Sequence, residues 1–263
     1  SGGIHTGRIW MGALINVVFY SLLYTTVSAA MMLTGNIVVA LLGTAVFFSY
    51  GPAVVGLSMA YMDTWFKTYR ETAVISDLFE KLLERTSPFT AYVYALGNFG
   101  EGRNVTGAVV TAFLVTVVLA IGTCCLYWLR PSEAAGKAMA FPKTENVIRI
   151  LIVIPVGVVF GMFFFALRAT VIWLSVGAVV GTVLAHCIIE IIYRMDFRRL
   201  FDRKIYLAGC LLVTLGLSMA GFKDWFGYDT WMPDTGKIQS MAINMEDDDT
   251  WVTYGQVEIP EDE

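Results

Sequence analysis

The chain has 263 residues, 57% of them hydrophobic and only 15% charged, with a mean hydropathy of +0.65 and a net charge of −4. So little charge cannot cover the surface of a soluble domain of this length, which excludes an ordinary water-soluble globular fold. Nucleic-acid binding is disfavoured, because no basic face with interleaved aromatic residues occurs.

The distribution of charge is more informative than its sum. Ile9–Met62 contains no charged residue, and each charge at a bilayer centre costs roughly 2.5–3.5 kcal/mol on insertion scales. A buried core helix accounts for apolar runs of only about 10–14 residues. Six membrane spans are therefore predicted: Ile9–Met32, Asn36–Met62, Val105–Leu129, Ile150–Leu167, Ala169–Ile189 and Ile205–Phe222. A backbone in lipid must satisfy its own hydrogen bonds, which selects helices here, since the alternating segments of a membrane barrel are missing. Leu33-Thr34-Gly35 is short enough to join the first two spans as a tight antiparallel hairpin.

A long segment, Asp63–Asn104, separates the second span from the third. Within it Ile75, Leu78, Phe79, Leu82 and Leu83 repeat at helical spacing, with Asp77, Glu80, Lys81 and Glu84 on other faces, the pattern of an amphipathic helix. Ser87-Pro88 breaks that helix. The aromatic-rich stretch Phe89–Leu96 is too short to span, so it is expected to be interfacial or re-entrant. Ser87, Pro88 and Phe89 are thus candidates for the mouth of a re-entrant element.

Orientation rests on the density of basic residues near span ends. Lysine and arginine split nine against nine between the two sides. They crowd two short loops, however: Arg130, Lys137, Lys143 and Arg149 in one, and Arg194, Arg198, Arg199, Arg203 and Lys204 in the other. The positive-inside rule places residues 130–149 and 190–204 in the cytoplasm, and the chain start, the 63–104 segment and the tail outside. Beyond the last span, Trp225, Phe226, Tyr228 and Trp231 form an aromatic belt. Residues 223–263 hold eleven acidic residues against two lysines. Lys237–Met245 and Thr250–Ile259 read as two strands around the acidic turn Glu246–Asp249. The fold class is all-α integral membrane protein, with about six transmembrane helices and a small extracytoplasmic β-containing tail.

The chemistry-bearing residues are few. No glycine-rich loop ends in Gly-Lys-Ser/Thr, so nothing in the sequence cradles a nucleotide, and no zinc-protease or serine-nucleophile motif occurs. No catalytic residue, cofactor site or metal site is assigned, and the chain is not read as an enzyme. The acidic run Glu246–Asp249 lacks the spacing and glycine of a calcium loop. Cys124, Cys125, Cys187 and Cys210 lie in or at the ends of spans and read as small hydrophobes. His186 and Glu190, four apart near the end of the fifth span, form a candidate intramembrane polar pair. The simpler reading is an interfacial Glu190–Arg194 pair, with His186 hydrogen-bonded between helices.

The segment Tyr127-Trp128-Leu129-Arg130-Pro131-Ser132-Glu133-Ala134-Ala135-Gly136-Lys137 resembles the stretch that follows the sixth core span of large type-2 ABC transporter permeases of Firmicutes. Met32-Leu33-Thr34-Gly35-Asn36 is similar to that family's turn between the fourth and fifth spans. Ser87-Pro88-Phe89 is similar to its exterior re-entrant element. Phe226-Gly227-Tyr228-Asp229, followed by Pro233-Asp234 and Lys237-Ile238, resembles the approach to its exterior C-terminal domain. The resemblance implies that residues 1–129 are the C-terminal half of a permease core, residues 130–222 a cytoplasmic loop with three additional spans, and residues 223–263 an extracytoplasmic tail. It further implies a permease subunit of an ABC export system in a bacterial cytoplasmic membrane, without the family's first three spans. An ABC ATPase subunit, a second permease copy and membrane lipid are the partners it implies. Arg130, Ser132 and Glu133 become candidates for a cytoplasmic coupling loop, where Pro131 is placed to start a short surface helix. The alternative reading is a membrane-embedded structural or sensory protein whose exterior tail binds a ligand.

Overall fold

The computed structural model describes residues 6–70, 72–134, 136–194 and 203–231, together with 246, 247, 250 and 251. The helices are α1 (Thr6–Leu33), α2 (Ile37–Trp65), α3 (Ala73–Thr86), α4 (Pro88–Gly100), α5 (Thr106–Leu129), α6 (Pro142–Arg168), α7 (Val171–Arg194) and α8 (Lys204–Phe222). Among the described residues, six of them (α1, α2 and α5 to α8) are long and apolar enough to cross a membrane, the signature of a multi-pass membrane protein.

Two packing units share α2. In the first, Ile15, Phe19 and Leu22 of α1 meet Val109 and Ala112 of α5 and Ala95 of α4. In the second, α6, α7 and α8 pack together, and the α6–α7 contact is set by small residues. A Cβ at Gly177 would stand 2.6 Å from Cβ of Phe164, and one at Gly181 would stand 2.7 Å from Cγ of Phe160, so only glycine lets the backbones approach this closely. Ala169, in the left-handed region at φ 50, turns the chain between the two helices, and its amide donates to the Phe165 carbonyl.

A proline in α6 explains one of the contacts by which α2 joins the units. Pro155 has no N–H, so the Leu151 carbonyl one turn earlier loses its helical donor. The Tyr50 hydroxyl of α2 supplies one, at 3.0 Å. Further along, the Tyr61 hydroxyl donates to the Leu217 carbonyl at 2.7 Å. The Trp65 ring packs on Phe165 with centroids 4.8 Å apart.

The loops sort into two groups. Thr34 and Met139 form a β-bridge, the Gly136 amide donates to the Gly35 carbonyl at 2.9 Å, and the Ala140 amide to the Leu33 carbonyl at 2.8 Å. The α1–α2 turn and the α5–α6 loop therefore lie at one end of the bundle. At the other end, the Asp229 carboxylate accepts from the Lys67 and Thr68 amides at 3.1 and 3.0 Å.

Two expectations are revised. The fourth span does not begin at Ile150: α6 starts at Pro142, which carries Arg149 into the helix and out of the loop. The arginine is tolerated because α7 supplies a counter-charge. In the tail, Glu246–Asp247 pairs antiparallel with Thr250–Trp251, a ladder of two residues per strand. The residues expected to turn thus carry half of that pairing, and such a ladder is not a β-domain. Lys237–Met245 and most of Thr250–Ile259 lie outside the described residues.

Candidate functional site

The Ser87–Phe89 segment is the tip of a helical hairpin, α3–α4, that runs back alongside α2 and returns along α1. Ser87 Oγ accepts from the Phe89 amide at 3.2 Å, capping α4 with Pro88 at its first turn. The same hydroxyl donates to the Phe48 carbonyl at 2.6 Å. That carbonyl lacks a helical donor because Pro52 stands four residues later. Thr86 fits against Gly51, where a Cβ would lie 2.6 Å from the threonine Cβ. On the return path the Tyr92 hydroxyl donates to Asn16 Oδ1 at 2.6 Å, and Arg8 donates to the Phe99 carbonyl at 3.3 Å.

These contacts fix the depth of the tip. Phe48 lies roughly 17 Å along α2 from Ile37 and roughly 26 Å from Trp65, at 1.5 Å per residue. With α2 across a bilayer, Ser87 is near mid-depth. Ser87 itself is buried, and Phe89 is exposed. The sequence reading of a re-entrant element covered only Phe89–Leu96, whereas the inserted unit also includes the amphipathic α3. Glu84 and Arg85 therefore come to the tip as well. Among the described residues neither forms an ion pair or hydrogen bond, while Asp77 and Lys81 one turn earlier pair at 2.6 Å. The tip borders a cavity of about 480 Å³, whose lining includes Glu84 and Arg85 together with Phe19 and Leu22 of α1 and Thr111 and Val115 of α5. Unpaired charges at this depth cost roughly 2.5–3.5 kcal/mol each against lipid, so the arrangement requires polar surroundings there.

The Arg130–Glu133 loop lies at the opposite end of the bundle from the hairpin's base. Arg130 reaches the α1–α2 turn, with Nη2 donating to the Thr34 carbonyl at 2.9 Å. Ser132–Ala134 makes a single 3-10 turn instead of the expected surface helix. The helix cannot propagate because Gly136 takes a φ of 83 and the backbone that follows pairs with residues 33–35. Ser132 and Glu133 remain exposed, with Lys137 Nζ 3.8 Å from the Glu133 carboxylate.

His186 and Glu190 are both fully buried. The principal partner of Glu190 is Arg149 of α6, with Nη2 at 3.1 Å from Oε2; Arg194 Nε stands farther away at 3.9 Å. Arg149 also pairs with Glu145 at 3.3 Å, and Arg203 joins Glu145 at 3.1 Å and donates to Asn146. The rings of Tyr193 and Tyr206 flank the Arg149 guanidinium at 6.0 and 5.9 Å. The expected interfacial Glu190–Arg194 pair is thus the outer edge of a buried network, and the expected hydrogen bond of His186 is not made among the described residues. Both imidazole nitrogens are buried without a hydrogen-bond partner, as are Thr214 Oγ1 and Ser218 Oγ on α8. Arg149 was missed because a charge at the edge of an apolar run reads as its end; the Glu145/Arg149 spacing of four was the signal that the helix had already begun. Among the described residues no group of three or more histidine, cysteine or carboxylate side chains could hold a metal ion.

The three clusters are separate: the hairpin tip sits among α1, α2 and α5, the Arg130 loop at one end, and the buried network within α6, α7 and α8. Comparison with known proteins finds no matching family model, no similar curated protein and no similar solved structure.

Proposed function

We propose that this chain is a membrane-spanning permease subunit of an ATP-driven export system, acting with a separate ATPase. The observation that carries the reading is the inserted α3–α4 hairpin, whose Glu84 and Arg85 lie near mid-depth without ion-pair partners among the described residues. Lipid cannot accommodate such a tip, whereas a translocation pathway supplies polar surroundings from which a solute can be released. The ordered resemblances at Met32–Asn36, Ser87–Phe89, Tyr127–Lys137 and Phe226–Asp229 support the same reading. In this reading the end carrying Thr34, Arg130 and Arg203 faces the bacterial cytoplasm, and the hairpin base, Asp229 and the acidic tail face outward.

The Arg130–Phe141 loop is the surface offered to the ATPase. Its backbone ties to the α1–α2 turn give it rigidity, which is what transmission of a partner's motion needs, while Ser132 and Glu133 project from it. Affinity purification from cells that also express a candidate ATPase subunit tests the proposal. The expected result is a stable complex whose ATPase activity changes with this chain bound and in which Glu133→Lys uncouples hydrolysis from export while assembly persists. Recovery of the chain free of any ATP-hydrolysing subunit contradicts it.

A further inference from the structure

We infer that the cavity at the hairpin tip binds single-chain zwitterionic amphipaths, molecules with one apolar tail and a head group bearing both a cation and an anion. The inference deepens the export reading by naming a substrate class, and it rests on that reading for transport but not for binding. Its basis is the pairing of two features within one cavity. Of its lining, Pro88, Ala91, Ala108 and Val115 offer apolar surface and Thr111 a hydroxyl, and the volume of about 480 Å³ lies in the range of ligand pockets. The lining also includes Glu84 and Arg85, adjacent in sequence, opposite in charge and without ion-pair partners among the described residues. A carboxylate recognises an ammonium group, and a guanidinium recognises a phosphate or carboxylate. A purely anionic head would meet Glu84 and a purely cationic one Arg85, so each is disfavoured by the like charge. The size of the cavity suits one chain better than two.

The test uses the full chain in lipid discs of phosphatidylglycerol, with Cys124, Cys125, Cys187 and Cys210 replaced by alanine and a fluorophore placed on Val115→Cys. The probe is lysophosphatidylcholine brominated on its chain, whose bromine quenches on contact. Saturable quenching is expected, with apparent affinity about tenfold weaker for brominated lysophosphatidic acid, which lacks the ammonium group. The Glu84→Gln/Arg85→Gln pair should weaken the zwitterionic probe by a similar factor. Comparison of the two probes on the unaltered tip needs no folding control. Quenching that rises linearly without saturation, equal affinity for the two probes, or equal displacement by two-chain phosphatidylcholine overturns the inference. Saturable, head-group-selective binding by a chain that recruits no ATPase would leave this site standing and remove the export reading alone.

Discussion

Ser87 shows how one hydroxyl positions an element. It caps α4 and, with its remaining proton, satisfies the carbonyl that Pro52 strips of its donor in α2. An unmet carbonyl in an apolar interior costs about 1–3 kcal/mol. Ser87→Ala should therefore destabilise the protein by about that amount. Pro52→Ala, which returns a helical N–H to Phe48, should recover part of the loss. Thermal unfolding of the four proteins in a double-mutant cycle measures the coupling, and strictly additive effects would show that the hydroxyl does not serve this carbonyl. Arg149 and Glu190 set a second residue-level test. Removing one member of a buried pair strands the other, at about 3–5 kcal/mol, whereas exchanging both for apolar residues of similar volume is often neutral. Arg149→Met alone should lower the unfolding temperature strongly, and Arg149→Met with Glu190→Leu should lower it much less. A double variant as unstable as the single one would mean that Glu145 holds the arginine without Glu190.

At the scale of elements, the start of the tail is tied to the end of α2 by the Asp229 carboxylate and by the packing of Tyr228 on Phe66, with ring centroids 4.9 Å apart. Asp229 accepts from the Thr68 amide and hydroxyl and from the Lys67 amide, and these hydrogen bonds hold its pKa below the usual carboxylate range. A depressed pKa gives stability that is complete above the ordinary carboxylate value and lost as pH falls through the lowered one. The difference in unfolding temperature between the native protein and Asp229→Asn should be largest near neutral pH and close in strong acid; a difference independent of pH would assign the contact to packing. Elements were legible to different degrees. Apolar run length located the six long helices, because lipid admits little else. Helical spacing of Ile75, Leu78, Phe79, Leu82 and Leu83 located α3 but not its depth, since amphipathicity reports that two faces differ and not what each one meets. The Ser87–Phe48 contact joins positions 39 apart and depends on a proline four residues beyond its acceptor. The boundary of α6 was misplaced although the Glu145/Arg149 spacing of four lies within one local window; what no local window contains is the second counter-charge, Glu190 on α7.

Across the whole molecule, two features stand against the apolar bulk: a buried charged column within α6, α7 and α8, and a charged hairpin tip between α1, α2 and α5. The first is paired in charge from within, Arg149 and Arg203 against Glu145 and Glu190, although His186, Thr214 and Ser218 beside it find no hydrogen-bond partner among the described residues. The second has no ion-pair partner among the described residues and gives the functional reading its direction, because charges at mid-depth require water, a solute or another protein surface. The central claim is that the tip stands in water-accessible space open to the Asp229 end of the bundle. A single cysteine at Arg85, in a background without the four native cysteines, tests it with a membrane-impermeant thiol reagent on oriented vesicles. Single cysteines at Ser132 and Lys223 mark the two faces. Labelling of the Arg85 position from the Lys223 side, and not from the Ser132 side, is the predicted result; resistance from both sides, or labelling only from the Ser132 side, would contradict the account.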